Sequence, residues 1–143
     1  MPYRYRGDIA HADAAFDAWG ETLEELFRSA AEATLGVMID DPASVYPKES
    51  VRLRLAEQNT EMLLFELLNQ IIFYKDARRL LLFPGELTIQ ETETCSRLRG
   101  TLVGEEIDPS RHRLDTDVKA VTMHRFALER VAEGWRATVV LDV

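Results

Sequence analysis

"NTEMLLFELLNQIIFYKDA", residues 59–77, decides the fold. Read as a helix, it is apolar around most of its circumference: Met62, Leu63, Leu64, Phe65, Leu67, Leu68, Ile71, Ile72 and Phe73. Asn59 or Thr60 supplies the N-cap, whose side-chain oxygen accepts from an early backbone N–H. A helix hydrophobic nearly all round belongs at the centre of a domain. The other reading of that surface is that part of it faces a partner protein.

The neighbouring segments fix what this helix must cover. Upstream, "ETLEELFRSAAEATLGVMI" is a second helix, opened by a capping box of Thr22 and Glu25. Its apolar stripe is Leu23, Leu26, Phe27, Ala30, Thr34, Val37 and Met38. Between the helices, "VRLRLAE" alternates Val51, Leu53 and Leu55 with polar positions, a strand with one wet face. Near the start, Ala12, Ala14, Phe16 and Ala18 alternate with Asp13 and Asp17 in the same way. Downstream come strand patterns only, the last two joined by "AEG", a turn of hairpin length. Strands, helix, strand, helix, strands make an α+β chain. The expectation is a single domain over 1–143, an antiparallel-rich mixed β-sheet covered by two α-helices.

Composition narrows function without naming it. The formal net charge is −8. Nucleic-acid affinity rests on Lys and Arg displacing counterions, so direct contact with RNA or DNA is not expected from the whole-chain charge. No stretch approaches the roughly 20 apolar residues of a membrane helix. The first residues, "MPYRYRGDIA", lack the apolar core of a secretory signal. The single cysteine, Cys95, forms no internal disulfide and no thiolate cluster. The expected compartment is the cytoplasm, with no membrane partner. Gly-rich phosphate loops, H-E-x-x-H, G-x-S-x-G and the EF-hand spacing are all absent from the sequence.

Three polar clusters stand out. Asp142 is next to last in the closing run "RATVVLDV", on the face opposite Trp135, Ala137, Val139, Leu141 and Val143. It is either a solvated chain end or a ligand. Asp117 and Lys119, two apart in an extended segment, leave one face as an ion pair, preceded by a polar loop with Asp108, Arg111 and His112. His112 and His124 are each either hydrogen-bonded or chemical. Asp13 lies among small apolar residues, as a solvent-facing acid or a ligand.

These clusters coincide with the motifs of a family. "DIAHADAAFDAWGETLEELF", "LLFELLNQIIFYKDA", "GEEIDPSRHRLDTDVKAVTMH" and "WRATVVLDV" resemble, in order, the H-T-A-D segment with its following helix, the second helix, the G-x-x-x-D-x-x-x-H pattern with V-K-A-V-T, and the terminal acid of the archease family. Archeases are small accessory proteins of the RtcB-type RNA ligase. The chain departs from the pattern in three places. H-T-A-D reads Ala10-His11-Ala12-Asp13, Met123 replaces a tyrosine, and Asp117 stands where glutamate is common.

The resemblance implies a divalent cation, typically calcium, held by Asp13, Asp142 and the carboxylate of Val143. It implies that Asp117 and Lys119, with the pattern's His112, serve the same cofactor-binding cluster. Two carboxylates 4 Å apart repel by roughly 1 kcal/mol in water and roughly 4 kcal/mol at a partly buried effective dielectric. A hard dication would relieve that repulsion. The first and last strands would then run side by side. The implied function is a protein cofactor, not an enzyme, that promotes guanylylation and multiple turnover of the ligase that joins 3′-phosphate to 5′-hydroxyl RNA ends in tRNA splicing and repair. RNA would be met only through the ligase. Rival readings are a chaperone-like modulator of RNA or DNA methyltransferases and a free-standing metal-dependent hydrolase.

Overall fold

The computed structural model describes residues 2–7 and 14–143. The elements are β1 (Tyr3–Tyr5), β2 (Ala14–Gly20), α1 (Leu23–Met38), β3 (Glu49–Glu57), α2 (Thr60–Arg78), β4 (Leu80–Glu91), β5 (Ser96–Glu106), β6 (Ala120–Val131) and β7 (Gly134–Asp142). Both helices start where their caps require. The Thr22 hydroxyl accepts from the Glu25 N–H at 3.1 Å, and the Glu25 carboxylate accepts from the Glu21 N–H at 2.9 Å. The reciprocal bond thus lands one residue ahead of the cap itself. Asn59 caps α2, accepting from the Met62 N–H at 2.9 Å.

Every residue of the expected α1 stripe is buried. On α2, Leu63, Leu64, Leu67, Leu68, Ile71 and Ile72 are buried, whereas Phe73 is 56% exposed. One apolar corner of the central helix therefore meets solvent.

The strands form two sheets instead of one, ordered β1-β2-β7-β6 and β3-β5-β4. All pairings among the described strands are antiparallel, so the mixed sheet is replaced by two antiparallel ones. The helices join them. α1 packs on β2 of one sheet and β4 of the other; α2 packs on β3, β4 and β5 of one and β6 of the other. The broad apolar surface of α2 makes this possible, because one helix can bury parts of two sheets at once.

β2 and β7 are neighbours, in register from Ala14↔Leu141 to Gly20↔Trp135. Phe16 opposite Val139 and Ala18 opposite Ala137 face the helices and are buried. Asp17, expected on the wet face, is 4% exposed. Its carboxylate accepts from Arg6 Nη1 at 2.7 Å and from its cross-strand neighbour Thr138 at 2.8 Å. Alternation alone does not reveal that β1 would bring arginines over this position.

β6 departs from a plain strand. Between Thr122↔Val140 and Ala127↔Thr138 it advances five residues while β7 advances two. The excess is a bulge that exposes Met123, His124 and Arg125, the last at φ 55°, and turns Phe126 inward onto Phe65. The hairpin closes at Val131↔Gly134. Gly134 has φ 133°, and a Cβ there would lie 2.4 Å from the Gly20 carbonyl oxygen. Gly134→Ala should therefore lower the unfolding free energy by about 1–3 kcal/mol, read from the urea midpoint.

Candidate functional site

The end of β7 is assembled by its neighbour. Ala120 is the cross-strand partner of Asp142, and the Lys119 N–H donates to the Asp142 carbonyl at 2.8 Å. Residues 113–119 are steered there by α1. The Asp115 and Thr116 N–H groups donate to the carbonyls of Met38 and Val37 at 2.9 and 3.1 Å, and Leu114 bridges Ile39. Those carbonyls are in the last turn of the helix and have no intrahelical donor. Helix termination thus also delivers Asp117 to its place.

Asp117 and Lys119 do not pair with each other as expected. They precede β6 instead of lying within it, and both are exposed. The cation on Asp117 is Lys75, from the last turn of α2, at 2.5 Å. Lys75 Nζ also donates to the Val118 carbonyl at 2.7 Å and lies 2.9 Å from Asp76 Oδ1. Its side chain is 9% exposed. Burial alone would push the ammonium down; the hydrogen bonds to Asp117 and Asp76 outweigh it and hold the pKa above its usual value. A depression of about 350 Å³ opens beside the clasp, lined in part by Met38, Asp76, Leu81, Leu114 and Asp117. Sequence reading missed Lys75, although a lysine closing so apolar a helix was a usable signal.

His112 belongs to a different structure. It is buried, its Nδ1 accepts from the Asp108 N–H at 2.9 Å, and its Nε2 lies 3.2 Å from Glu105 Oε2. The first bond fixes the neutral tautomer with the proton on Nε2, donating to Glu105. Both ring nitrogens of His112, the residue expected in the cofactor-binding cluster, are thus engaged within the protein. Glu105, also missed, is the hub. It further accepts from Arg111 and, at 2.7 Å, from the Tyr46 N–H. Arg111 stacks over the Tyr46 ring at 4.8 Å. The Arg111 hydrogen bond, aided by Tyr46 and His112 against the cost of burial, lowers the Glu105 carboxyl to about 2.

Asp13 lies outside the described residues. Asp142 is exposed, and its carboxylate has no hydrogen-bond or ion-pair partner among the described residues. Among those residues no three His, Cys, Asp or Glu side chains converge as a metal site. Oxygen donors from Asp142 and Val143 suit a hard cation in kind, but they fall short of the roughly six to eight oxygens that calcium takes.

Lys75→Met should cost about 1–3 kcal/mol in urea unfolding, because it strips a donor from the Val118 carbonyl. Asp117→Asn should cost less, since that carboxylate is 71% exposed. Glu105→Gln should lower Tm at neutral pH. A folded-state pKa near 2 against an ordinary 4.5 means that the native protein binds fewer protons than the unfolded chain between those values. The contribution is therefore full above about pH 4.5 and vanishes towards pH 2. The Tm gap between wild type and Glu105→Gln should close across that window.

Comparison with known proteins adds the family. Residues 3–143 match the Archease protein family. The Methanopyrus kandleri "Protein archease" is 36% identical over 144 residues, covering 100% of both chains. The Methanosarcina mazei "Protein archease" is 32% identical, over 92% of this chain and 90% of that one. The solution structure of Methanobacterium thermoautotrophicum protein 1598 superposes with a TM-score of 0.82 at 34% identity, covering 99% of each chain. The crystal structure of "an archease, possible chaperone" from Thermotoga maritima shares the fold, with a TM-score of 0.59 at 20% identity and 96% coverage of each. The chain belongs to the archease family.

Proposed function

We propose that this protein is an accessory factor of the RtcB-type RNA ligase, promoting its guanylylation and repeated turnover in tRNA splicing and RNA repair. Family membership supports the reading, and one structural observation carries it. Asp142 and Lys119 are adjacent and exposed at one end of a sheet, beside the loop that Lys75 fixes. A pair of opposite charges on hydrogen-bonded backbone, open to solvent, is suited to entering another protein's active site. Asp142, Val143 and Asp13 would hold a divalent cation, calcium first, with Asp117 and Lys119 in the same cluster. The ion, when bound, would offset the carboxylate charge. Lys119 would offer an ammonium to phosphate or carboxylate groups of the ligase site. The ligase would carry the covalent chemistry in the cytoplasm.

The alternative of a chaperone-like modulator, with methyltransferases as clients, draws on the exposed Phe73. A free-standing hydrolase would need a general base beside the acidic cluster, and His112 in the preceding loop already has both nitrogens hydrogen-bonded.

Ligase turnovers measured with and without the protein test the proposal. Wild type should raise the number of turnovers per ligase, and Asp142→Ala should reduce that stimulation about tenfold or more while leaving the unfolding free energy within about 0.5 kcal/mol of wild type. Undiminished stimulation by Asp142→Ala would defeat the mechanism.

A further inference from the structure

The outer face of the β3-β5-β4 sheet gathers positive charge. Arg54 and Arg99 are direct cross-strand partners, Arg52 is two residues before Arg54, and Arg97 is two before Arg99. All four are exposed. The two depressions on this face, of about 570 and 340 Å³, are lined by these arginines and by a single carboxylate, Glu86. Arg52, Arg54 and Arg99 have no ion-pair partner among the described residues, and Arg97 reaches only the Cys95 thiol. Like charges directly opposite each other destabilise a sheet. In a chain of net charge −8, carboxylates to neutralise them were plentiful.

We infer that this face binds a phosphodiester backbone. Four features point there. Every cation on the face is arginine, whose planar fork matches the oxygens of a phosphate. The register makes a diagonal band: Arg52, then the Arg54–Arg99 pair, then Arg97 opposite Ala56. Its steps are two strand residues, about 7 Å each, comparable to successive phosphates along an extended nucleic-acid strand. Thr88, Gln90 and Thr101 add neutral hydrogen-bonding groups beside the band. The fourth feature separates nucleic acid from an acidic protein segment. The buried core of a protein interface is more apolar than the surrounding surface, and none of the exposed large apolar side chains, Tyr5, Tyr46, Phe73, Leu114 and Met123, is on this face. Phosphate contacts need only charge and donors. With no aromatic platform for bases, binding is independent of sequence.

Under the proposed function the strand is RNA held beside the ligase, and the expectation of RNA contact solely through the ligase gives way. The binding itself does not depend on that reading and is measured without ligase. Fluorescence anisotropy of a labelled oligouridylate at low salt should show binding that weakens as salt rises. Arg54→Gln with Arg99→Gln should weaken it about tenfold and flatten the slope of log K against log salt by about 1.4, near 0.7 for each lost phosphate contact. The same double variant should melt at or above the wild-type Tm, since the opposed charges are gone. Asp142→Ala should bind the oligonucleotide as wild type does. Absence of wild-type binding at low salt, or equal binding by the double variant, would overturn the inference. So would tighter binding of a polyglutamate peptide than of the oligonucleotide at equal salt.

Discussion

The ammonium of Lys75 holds the site end of the molecule together. A cation at the close of an apolar helix is costly unless every donor finds an acceptor. Lys75 finds three, Asp117, Asp76 and the Val118 carbonyl. Through Val118 the helix grips the segment that leads into β6, and β6 then supplies the Lys119 and Ala120 contacts at the end of β7. Because the folded-state pKa is raised, this contribution is complete below the ordinary lysine value and is lost only as pH climbs through the higher one. Across neutral pH the clasp is constant. It positions Asp117 without acting as a proton switch.

Much of the fold was legible because periodicity and capping act locally. The Thr22 and Asn59 caps, the α1 stripe and the β6–β7 hairpin are set by residues within a few positions of one another. Two sheets instead of one was not legible, since it depends on how many surfaces α2 covers. The site divides in the same way. The nearness of Asp142 to the Asp117–Lys119 segment was expected from family motifs, whereas the actual partner of Asp117 is 42 residues away in sequence. His112 shows a further long-range dependence. A motif position suggested chemistry, and the folded chain engages one nitrogen with the Asp108 N–H of its loop and the other with Glu105 of β5.

Net charge proved a poor guide to local charge. The excess of 25 acidic over 17 basic residues describes the far field. It does not describe the β3-β5-β4 face, where alternation places arginines at 52, 54, 97 and 99 on one side of adjacent strands. In "VRLRLAE" and "SRLRG" those arginines read simply as the wet half of amphipathic strands. Only register shows that Arg54 stands opposite Arg99.

Exposed charges without partners are common on any protein, so lack of a partner alone marks nothing. Placement distinguishes the site end from the arginine face. The fold satisfies polar groups wherever burial demands it: among the described residues no buried side-chain nitrogen or oxygen lacks a hydrogen bond. Asp17, Lys75 and Glu105 each recruit several partners from distant segments. The same chain leaves two arginines facing each other across a sheet, where a threonine or glutamate at either position would have relieved the repulsion. A sequence able to neutralise charge throughout its interior, yet carrying uncompensated charge at a position fixed by strand register, has a surface whose complement lies outside the molecule.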